Sequence, residues 1–407
     1  MSHSALVIGA GPAGLMAAET LAAGGCAVTL IDHMPSVGRK FLMAGRGGLN
    51  LTHGEPLERL LARYPAPLLR AAVAGFPPAA VIGWCEGLGQ ATFVGSSGRV
   101  FPRNMKASPL LRSWLARLDR LGVRLLTRHR WLGGQSFATP TGRVALPAGA
   151  CVLALGGASW PRLGSDGAWS GLLPGVEVAA LRPANAGFAV AWSERFRARF
   201  AGQPLKRIGL RFGGHAALGE AMVTDQGIEG GAVYVLCAPI RDAIAAGGPV
   251  AVAIDLRPDL SLEQVAARLD QPRRAQSLST FLRKTVGLAP IAVGLVQEAL
   301  HRGEAAPLAT LIKARPLTFE AVRPIARAIS TAGGIAWAEL DGNFMLRRHP
   351  GFFVAGEMLD WEAPTGGYLL QGCLSSGVAA GRGALEWLAR AAPDQTPAPG
   401  ISSPSGA

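Results

Sequence analysis

The apolar pattern at the start of the chain predicts a strand, a tight turn, a helix and a second strand. A short apolar run over residues 6–8 ends in glycines, and a longer apolar segment over 15–23 contains few helix breakers. A second apolar run, Ala27–Ile31, then ends at Asp32. This order is typical of the first βαβ unit of a Rossmann-like α/β domain.

The three glycines of this unit have spacing suited to a dinucleotide diphosphate. Gly9 permits the sharp turn, Gly11 lets backbone approach the diphosphate, and Gly14 lets the helix pack on the strand. Asp32 follows about 20 residues later, where a carboxylate accepts hydrogen bonds from ribose hydroxyls. The alternative is a glycine-rich turn that serves packing alone.

A segment dense in glycine and cations follows the second strand. Arg39, Lys40 and Arg46 are placed to neutralise phosphates or an anionic ring, and glycines between them let backbone approach a ligand. Asn50 and His53 are candidate donors to a bound ring, and Arg46 and His53 are weak catalytic candidates. The alternative is a solvated basic loop, in which His53 has a structural role.

The sequence over residues 91–157 predicts further strands and a helix of the first domain. A hairpin is expected over 91–94 and 99–101, a helix over 108–121, and a strand over 123–131. Trp131, at the end of that strand, is a candidate contact for an adenine ring. A buried strand over 151–155 then runs into Gly156 and Gly157, as at the ligand-binding edge of a parallel sheet.

The last third of the chain predicts a second unit that meets the same ligand. A strand from residue 352 delivers Glu357 and Asp360, whose carboxylates are suited to ribityl hydroxyls. Gly366 and Gly367 then open a helix expected to run to residue 380, and its first amides can stabilise an anionic flavin ring. Packing alone is again the alternative, but two units at opposite ends of the chain favour a flavin.

Between these units the pattern changes, which predicts an inserted domain over 184–325. Short strand-like pieces, expected at 187–191, 208–212, 232–236 and 250–256, precede helical stretches, so a small antiparallel sheet or barrel with a helical part is expected. The predicted division is 1–183 for the first part of the FAD-binding domain, 184–325 for the inserted domain, 326–392 for the second part, and 393–407 for a disordered tail.

Composition limits the classes of protein that fit. No apolar run approaches the roughly 20 residues of a membrane helix. The five cysteines lack paired spacing for zinc or a disulfide, so no metal and a reduced, cytoplasmic location are expected. The net charge of +13 permits an anionic partner such as RNA, although an arginine-rich composition that reflects codon usage is the favoured explanation. The sequence indicates no oligomeric state.

These motifs together resemble the BaiN-like family of bacterial NAD(P)/FAD-dependent oxidoreductases, specifically its branch of uncharacterised flavoproteins. The resemblance implies a two-dinucleotide-binding-type flavoprotein with a β-barrel-like and helical insertion. Where that family commonly has Ser and Cys, this chain has Ala44 and Leu49, so a role for that thiol is not expected. The matching pieces are Gly9-Ala10-Gly11-Pro12-Ala13-Gly14, Gly38-Arg39-Lys40, residues 45–50, residues 154–158, residues 356–360 and Gly366-Gly367-Tyr368-Leu369-Leu370-Gln371.

The resulting hypothesis is an FAD-dependent oxidoreductase, reduced by NAD(P)H, that passes hydride from flavin N5 to an unsaturated small molecule. The alternatives are an RNA-modifying flavoenzyme acting on uridine and a flavin-binding protein that is not an enzyme. The residues expected to contact FAD are Gly9, Gly11, Pro12, Ala13, Gly14, Asp32, His33, Arg39, Lys40, Gly45, Gly48, Asn50, Leu51, Trp131, Gly156, Gly157, Gly356, Glu357, Asp360, Gly366, Gly367, Tyr368 and Gln371.

Overall fold

A computed structural model describes residues 3–45 and 47–391 of the chain. The expectations for Arg46 and for a tail over 393–407 therefore lie outside the described residues. The strands are β1 Ser4–Ile8, β2 Ala27–Ile31, β3 Thr52–His53, β4 Thr92–Val94, β5 Arg99–Pro102, β6 Arg124–Leu126, β7 Arg130–Trp131, β8 Ser136–Thr139, β9 Gly142–Ala145, β10 Ala150–Leu153, β11 Val178–Ala184, β12 Phe188–Ala189, β13 Pro204–Phe212, β14 His215–Thr224, β15 Gly227–Glu229, β16 Val250–Asp255, β17 Arg315–Phe319, β18 Ala321–Val322, β19 Ser330–Ile335 and β20 Phe352–Val354.

The helices flank the sheets that these strands form. Short 3₁₀ turns add Pro161–Leu163, Ala168–Leu172, Ile325–Arg327, Trp337–Glu339 and Gly356–Met358. The α-helices are α1 Pro12–Ala23, α2 Arg39–Ala44, α3 Leu57–Leu61, α4 Pro67–Gly75, α5 Pro78–Gly87, α6 Ala107–Arg120, α7 Glu194–Phe200, α8 Gly231–Val235, α9 Cys237–Gly247, α10 Leu262–Leu269, α11 Leu278–Thr285, α12 Pro290–His301, α13 Leu308–Lys313 and α14 Tyr368–Ala391.

A five-stranded parallel sheet organises the two ends of the chain. Its strand order is β20-β10-β1-β2-β6, so β1 lies between β2 and β10 and the chain changes direction across the sheet there. Such a switch point opens a crevice beyond the carboxyl ends of the strands. The predicted Rossmann-like α/β class is confirmed.

Helix α14 packs closely on α1 because small residues face one another. A Cβ on Gly377 would lie 2.4 Å from the carbonyl oxygen of Ala13, and one on Gly381 would lie 2.9 Å from Thr20. Gly381 therefore sits inside the helix, at a contact that needs its small size. The expectation that the helix ends near residue 380 was wrong, since α14 continues to Ala391.

The inserted domain has its own core. Its buried apolar residues, between 186 and 328, form one cluster, and those of residues 5–173 and 335–388 form another. The seven-stranded sheet β17-β16-β13-β14-β15-β12-β18 lies in the inserted domain, and the antiparallel pair β11 and β19 leads into it and out of it. The predicted residue boundaries of the domains stay a prediction.

Three local expectations were wrong. The strand expected over 232–236 lies in α8, because a short apolar run does not distinguish helix from strand and Gly230, at φ +109°, turns the chain. The strand expected over 123–131 divides into β6 and β7 of different sheets, with Arg128 at φ +59° between them. The strand from residue 352 ends at Val354, before a 3₁₀ turn.

Among the described helices, no single one is long and apolar enough to cross a bilayer. One bent pair, α4 with α5 at 44°, meets the length and composition requirement together.

Candidate functional site

A cleft lies beyond the carboxyl ends of β1, β2, β10 and β20. Most of its lining comes from the segments that follow these strands, as expected at the crevice of an open parallel sheet, and Cys373 of α14 completes it. The lining residues are Gly9, Ala10, Gly11, Pro12, Ala13, Asp32, His33, Ser36, Gly38, Arg39, Lys40, Phe41, Ala154, Leu155, Gly156, Leu163, Gly164, Ser165, Ala355, Glu357 and Cys373.

The glycine turn has the geometry that a bound diphosphate needs. Gly9 has φ +104°, and a Cβ there would lie 2.3 Å from the carbonyl oxygen of Ala154. A Cβ on Gly14 would lie 1.8 Å from the carbonyl oxygen of Gly9, so both positions require glycine. Gly11 faces open space, with nothing within 4 Å of an added Cβ. Backbone at Gly11 is therefore open to a ligand at the start of α1.

Asp32 is held rigidly at the end of β2. Its two carboxylate oxygens accept hydrogen bonds from the backbone amides of Ala10 at 3.0 Å and Met34 at 2.8 Å. An anchored carboxylate with remaining lone pairs is suited to the hydroxyls of a ribose. Nearby, the Nε atom of Arg39 is buried without a partner among the described residues. A buried donor without a partner costs free energy unless a ligand or water satisfies it.

An ion pair between Lys40 and Glu357 connects the segment after β2 to the segment after β20. Lys40 Nζ lies 2.6 Å from Glu357 Oε2 and donates to Ser159 Oγ at 2.5 Å. Glu357 Oε1 accepts from the backbone amide of Thr331 at 2.8 Å, so the carboxylate is bonded at both oxygens. Ser159 and Thr331, both fully buried, escaped prediction because isolated hydroxyl residues carry no signal in sequence.

Thr331 also explains the paired glycines after β10. A Cβ on Gly157 would lie 2.3 Å from Thr331 Oγ1, so Gly157 serves close packing, while Gly156 lines the cleft. Thr331 Oγ1 in turn accepts from the amides of Ala158 and Ser159 at 2.9 and 3.2 Å.

A second group of predicted residues meets where α14 begins. With its amide oriented to satisfy both groups, Asn50 accepts from the amide of Gly367 and donates to the carbonyl oxygen of Thr52, each at 3.2 Å. Thr52 Oγ1 donates to Gln371 Oε1 at 2.6 Å. A Cβ on Gly367 would lie 2.6 Å from the carbonyl oxygen of Thr52, which shows how closely the two backbones approach.

Tyr368 belongs to a cluster of ionisable groups at this place. Its hydroxyl donates to Glu55 Oε1 at 2.7 Å, and its ring stacks on His53 with centroids 5.2 Å apart. Burial, with the neighbouring carboxylate, raises the pKa of Tyr368 to about 12. Burial alone would raise the pKa of Glu55, but hydrogen bonds from Tyr368 and Arg63 lower it overall.

The catalytic candidate His53 has both ring nitrogens engaged. Nδ1 accepts from the amide of Glu55 and Nε2 lies 3.1 Å from the carbonyl oxygen of Ser97. A neutral ring with its hydrogen on Nε2 satisfies both bonds. The role of His53 as a proton donor stays a prediction that this arrangement does not favour.

The remaining predicted residues do not line the cleft. Gly45 packs on Ala107, Gly48 on Met105, and Leu51 is fully buried in the core. The other predicted FAD contacts that do not line the cleft are Gly14, Asn50, Trp131, Gly157, Gly356, Asp360, Gly366, Gly367, Tyr368 and Gln371.

Trp131 and Asp360 lie in settings that differ from those expected. Trp131 is buried in the small sheet β7-β8-β9, where its Nε1 donates to the carbonyl oxygen of Gly134 at 2.9 Å. The backbone amide of Asp360 donates to Ile335 at 3.0 Å, and burial raises the pKa of its carboxyl. Contact of either residue with FAD stays a prediction.

All five cysteines are buried and free. Cys373, on α14, is the one that lines the cleft within the described residues, and burial raises the pKa of its thiol to about 12. A thiol with such a pKa stays protonated at neutral pH. Leu49 has a hydrocarbon side chain and is fully buried. The position at which the family commonly has a thiol therefore presents no reactive group in this chain.

Comparison with known proteins identifies the family. A family profile described as "HI0933-like protein Rossmann domain" matches residues 3–383. The chain belongs to this family of Rossmann flavoproteins. FAD is its cofactor and it is an FAD-dependent oxidoreductase. The open glycine turn, the anchored Asp32 and the unpartnered Arg39 Nε are all consistent with this cofactor.

Two curated relatives match along nearly their whole length. The chain is 25% identical to the 3-dehydro-bile acid delta(4,6)-reductase of Clostridium scindens, over 93% of this chain and 98% of the relative. It is 25% identical to the ribosomal RNA dihydrouridine synthase of Haemophilus influenzae, over 92% and 96%. Among solved structures, Mycobacterium smegmatis Sdh1 in complex with UQ1 matches with a TM-score of 0.51 and 16% identity, over 97% of this chain and 70% of that one, which indicates a shared fold.

Proposed function

We propose that NAD(P)H reduces the flavin of this chain, which then passes hydride to an unsaturated carbon of a small organic molecule. The observation that carries the proposal is the end-to-end relation to a bile acid delta(4,6)-reductase. When bound, FAD supplies the hydride transfer at its N5 atom, and the chain supplies binding, orientation and charge. A proton from water or from a side chain completes the reduction.

The residues at the cleft have distinct parts in this proposal. Amides at the start of α1 would meet the diphosphate, and Asp32 would hold the adenosine ribose. Lys40 is bonded to Glu357, so its charge lies deep in the cleft beside a fixed carboxylate. Amides at the start of α14 would favour negative charge on the reduced ring.

An exposed group of apolar side chains supports an apolar substrate. Phe93, Val94 and Met105 are 37%, 59% and 37% exposed, on or beside the hairpin of β4 and β5. Met105 and Phe101 pack against Gly48, in the segment that precedes Asn50. Phe93 stacks on Phe101 with ring centroids 5.7 Å apart, and a contiguous apolar surface of sufficient area can bind an apolar partner. We define Phe93, Val94, Phe101 and Met105 as the hairpin patch.

The test is an anaerobic titration of the purified FAD-loaded protein. NADH or NADPH is expected to bleach the flavin absorbance, and a steroidal enone or dienone is expected to restore it. Bleaching by neither nicotinamide cofactor would contradict the proposed reductant. Bleaching without reoxidation by any enone or dienone would contradict the proposed class of substrate.

A second candidate is reduction of uridine in RNA, favoured by the net charge of +13 and by the relation to a ribosomal RNA dihydrouridine synthase. The phosphate backbone makes RNA binding strongly dependent on salt. Affinity for ribosomal RNA fragments that falls steeply between low and moderate salt, with formation of dihydrouridine, would favour this candidate over a small molecule.

A further inference from the structure

The loop that leads into α14 is held from two sides. This α14 entry loop, residues 360–367, is tied to the parallel sheet by Trp361, whose Nε1 donates to the carbonyl oxygen of Gly356 at 2.9 Å. From the other side, Asn185 Nδ2 donates to the carbonyl oxygen of Ala363 at 2.8 Å. Asn185 directly follows β11, so the entrance to the inserted domain touches the loop.

Arg241 makes the stronger connection from the inserted domain. It lies on α9 and is 3% exposed. Its Nη1 and Nη2 atoms donate to the two carboxylate oxygens of Glu362, in the α14 entry loop, each at 2.9 Å. Nη1 also donates to the carbonyl oxygen of Pro183 at 3.0 Å, and Nε donates to Asp242 at 2.9 Å. A bidentate pair of this kind fixes direction as well as distance.

The α14 entry loop leads directly into the first amides of the helix. It ends at Gly366 and Gly367, with φ of +136° and +94°. The first helical amides, of Tyr368, Leu369 and Leu370, have no acceptor among the described residues, as expected for the first turn of a helix. A shift of the loop would therefore move amide donors that have no partner among the described residues.

We propose that Arg241 is a positioning residue for the flavin, which acts from the inserted domain by fixing Glu362 and thereby the first amides of α14. The inference rests on the proposed function for its use in catalysis. It gives the inserted domain a direct physical connection to the electron affinity of the flavin, because helix amides stabilise negative charge on the ring. A substrate that moves α9 would then alter the flavin through this pair.

The competing interpretation is that the pair only holds two domains together. Arg315 provides a control for the general effect of losing a buried arginine pair of the inserted domain. It is also a buried arginine of the inserted domain, 2% exposed, and its Nη2 donates to Glu304 at 3.1 Å. Its partners all lie within the inserted domain, so Arg315→Lys disturbs that domain without touching the α14 entry loop.

The experiment compares Arg241→Lys, Glu362→Gln and the double variant with Arg315→Lys, each as the FAD-loaded full chain. Amide hydrogen exchange of peptides covering 361–370 is expected to become about tenfold faster in both single variants and unchanged in the control. The flavin midpoint potential is expected to fall in the same two variants only. The effects of the double variant are expected to be smaller than the sum of the effects of the singles, because both single variants remove the Arg241–Glu362 pair.

Two results would overturn the inference. The first is an amide exchange rate and a flavin midpoint potential in Arg241→Lys that equal those in Arg315→Lys. The second is a double variant whose effects are the sum of the effects of the two single variants. Neither measurement needs turnover. If the wild-type protein is not reduced by NAD(P)H, the proposed function fails, while these comparisons still decide the role of Arg241.

Discussion

Lys40 Nζ lies 2.6 Å from Glu357 Oε2, although 317 residues separate the two in sequence. The pair connects the start of α2 to the 3₁₀ turn after β20, so it closes the cleft between the two ends of the chain. Glu357 is 7% exposed at its side chain and Lys40 is 25% exposed. The buried carboxylate is therefore compensated by this cation at one oxygen and by the amide of Thr331 at the other.

Lys40→Met is expected to lower the free energy of unfolding by about 3 kcal/mol, because it leaves a buried carboxylate without its cation. Chemical denaturation of the FAD-free protein measures the change. Arg390→Gln is the control, since Arg390 and its partner Glu386 are 74% and 54% exposed. That control is expected to cost less than about 0.5 kcal/mol. Equal losses in the two variants would contradict the role of the Lys40–Glu357 pair.

Gly11→Ala is expected to separate folding from cofactor binding. An added Cβ at Gly11 meets nothing within 4 Å, so the FAD-free protein should unfold at an unchanged denaturant concentration. The methyl group would occupy the approach to the diphosphate, and FAD affinity should fall at least about tenfold. Isothermal titration of FAD-free protein measures the affinity.

Two further glycine variants control this prediction. Gly14→Ala, whose Cβ would lie 1.8 Å from the carbonyl oxygen of Gly9, is expected to impair folding itself. Gly83→Ala lies on α5 with open space around it and should retain FAD affinity. Normal FAD binding by Gly11→Ala would exclude the expected path of the diphosphate.

The three tyrosines of the chain are expected to resist ionisation in the folded protein. Burial raises the pKa of Tyr234 and of Tyr368 to about 12, and it raises the pKa of Tyr64 further. An unfolded tyrosine titrates near pH 10, so the native state holds more protons between about pH 10 and 12. Stability is therefore fully retained below about pH 10 and falls as the pH rises above it.

Tyrosinate absorbance near pH 10 measures this ionisation, with urea-unfolded protein as the reference. The folded protein should show little of the signal that the unfolded protein shows. Tyr368→Phe should remove one of the three late-titrating groups while FAD remains bound. A folded protein with half of its tyrosines ionised at pH 10 would contradict the burial of these rings.

Phe93→Ser is expected to weaken binding of an apolar substrate while leaving the cofactor in place. Phe93 is 37% exposed and stacks on Phe101 at 5.7 Å in the hairpin patch, so its loss removes apolar area at modest cost to stability. The KM for a steroidal enone should rise several-fold, with an unchanged FAD dissociation constant.

The control for the hairpin patch is Leu218→Ser. Leu218 is 77% exposed on β14 of the inserted domain and does not contact the patch. Steady-state kinetics should show no change in KM for this variant. If Phe93→Ser and Leu218→Ser raise KM equally, the patch has no specific part in substrate binding.

The sequence predicted the first βαβ unit well because most of its constraints are local. The close packing at Gly14 against Gly9 and the carboxylate at Asp32 depend on neighbours within one supersecondary unit, whereas Gly9 also packs against Ala154, which follows β10. The cleft could be assigned to strand ends for the same reason, since buried runs that end in glycine mark the edge of a parallel sheet.

Features that depend on contacts between residues far apart in sequence could not be predicted from the sequence. The partners of Glu357 are Lys40 and the backbone of Thr331, and no local pattern indicates either contact. Residues 232–236 were predicted as a strand but lie in α8, because packing against β14 decides whether this short apolar run forms a helix or a strand. Arg241 had no signal at all, since its partner Glu362 is 121 residues away.

The neighbouring strands β11 and β19 give the inserted domain both of its connections at one place on the sheet system. The inserted domain is thus a side branch that leaves and re-enters the rest of the molecule at neighbouring points, with hydrogen bonds from Asn185 and Arg241 to the α14 entry loop beside them. A branch of this kind can be lengthened, shortened or replaced over evolution without disturbing the register of the parallel strands. On the proposed function, replacing this domain would change the surface offered to a substrate while the cleft beyond the parallel strands stays in place.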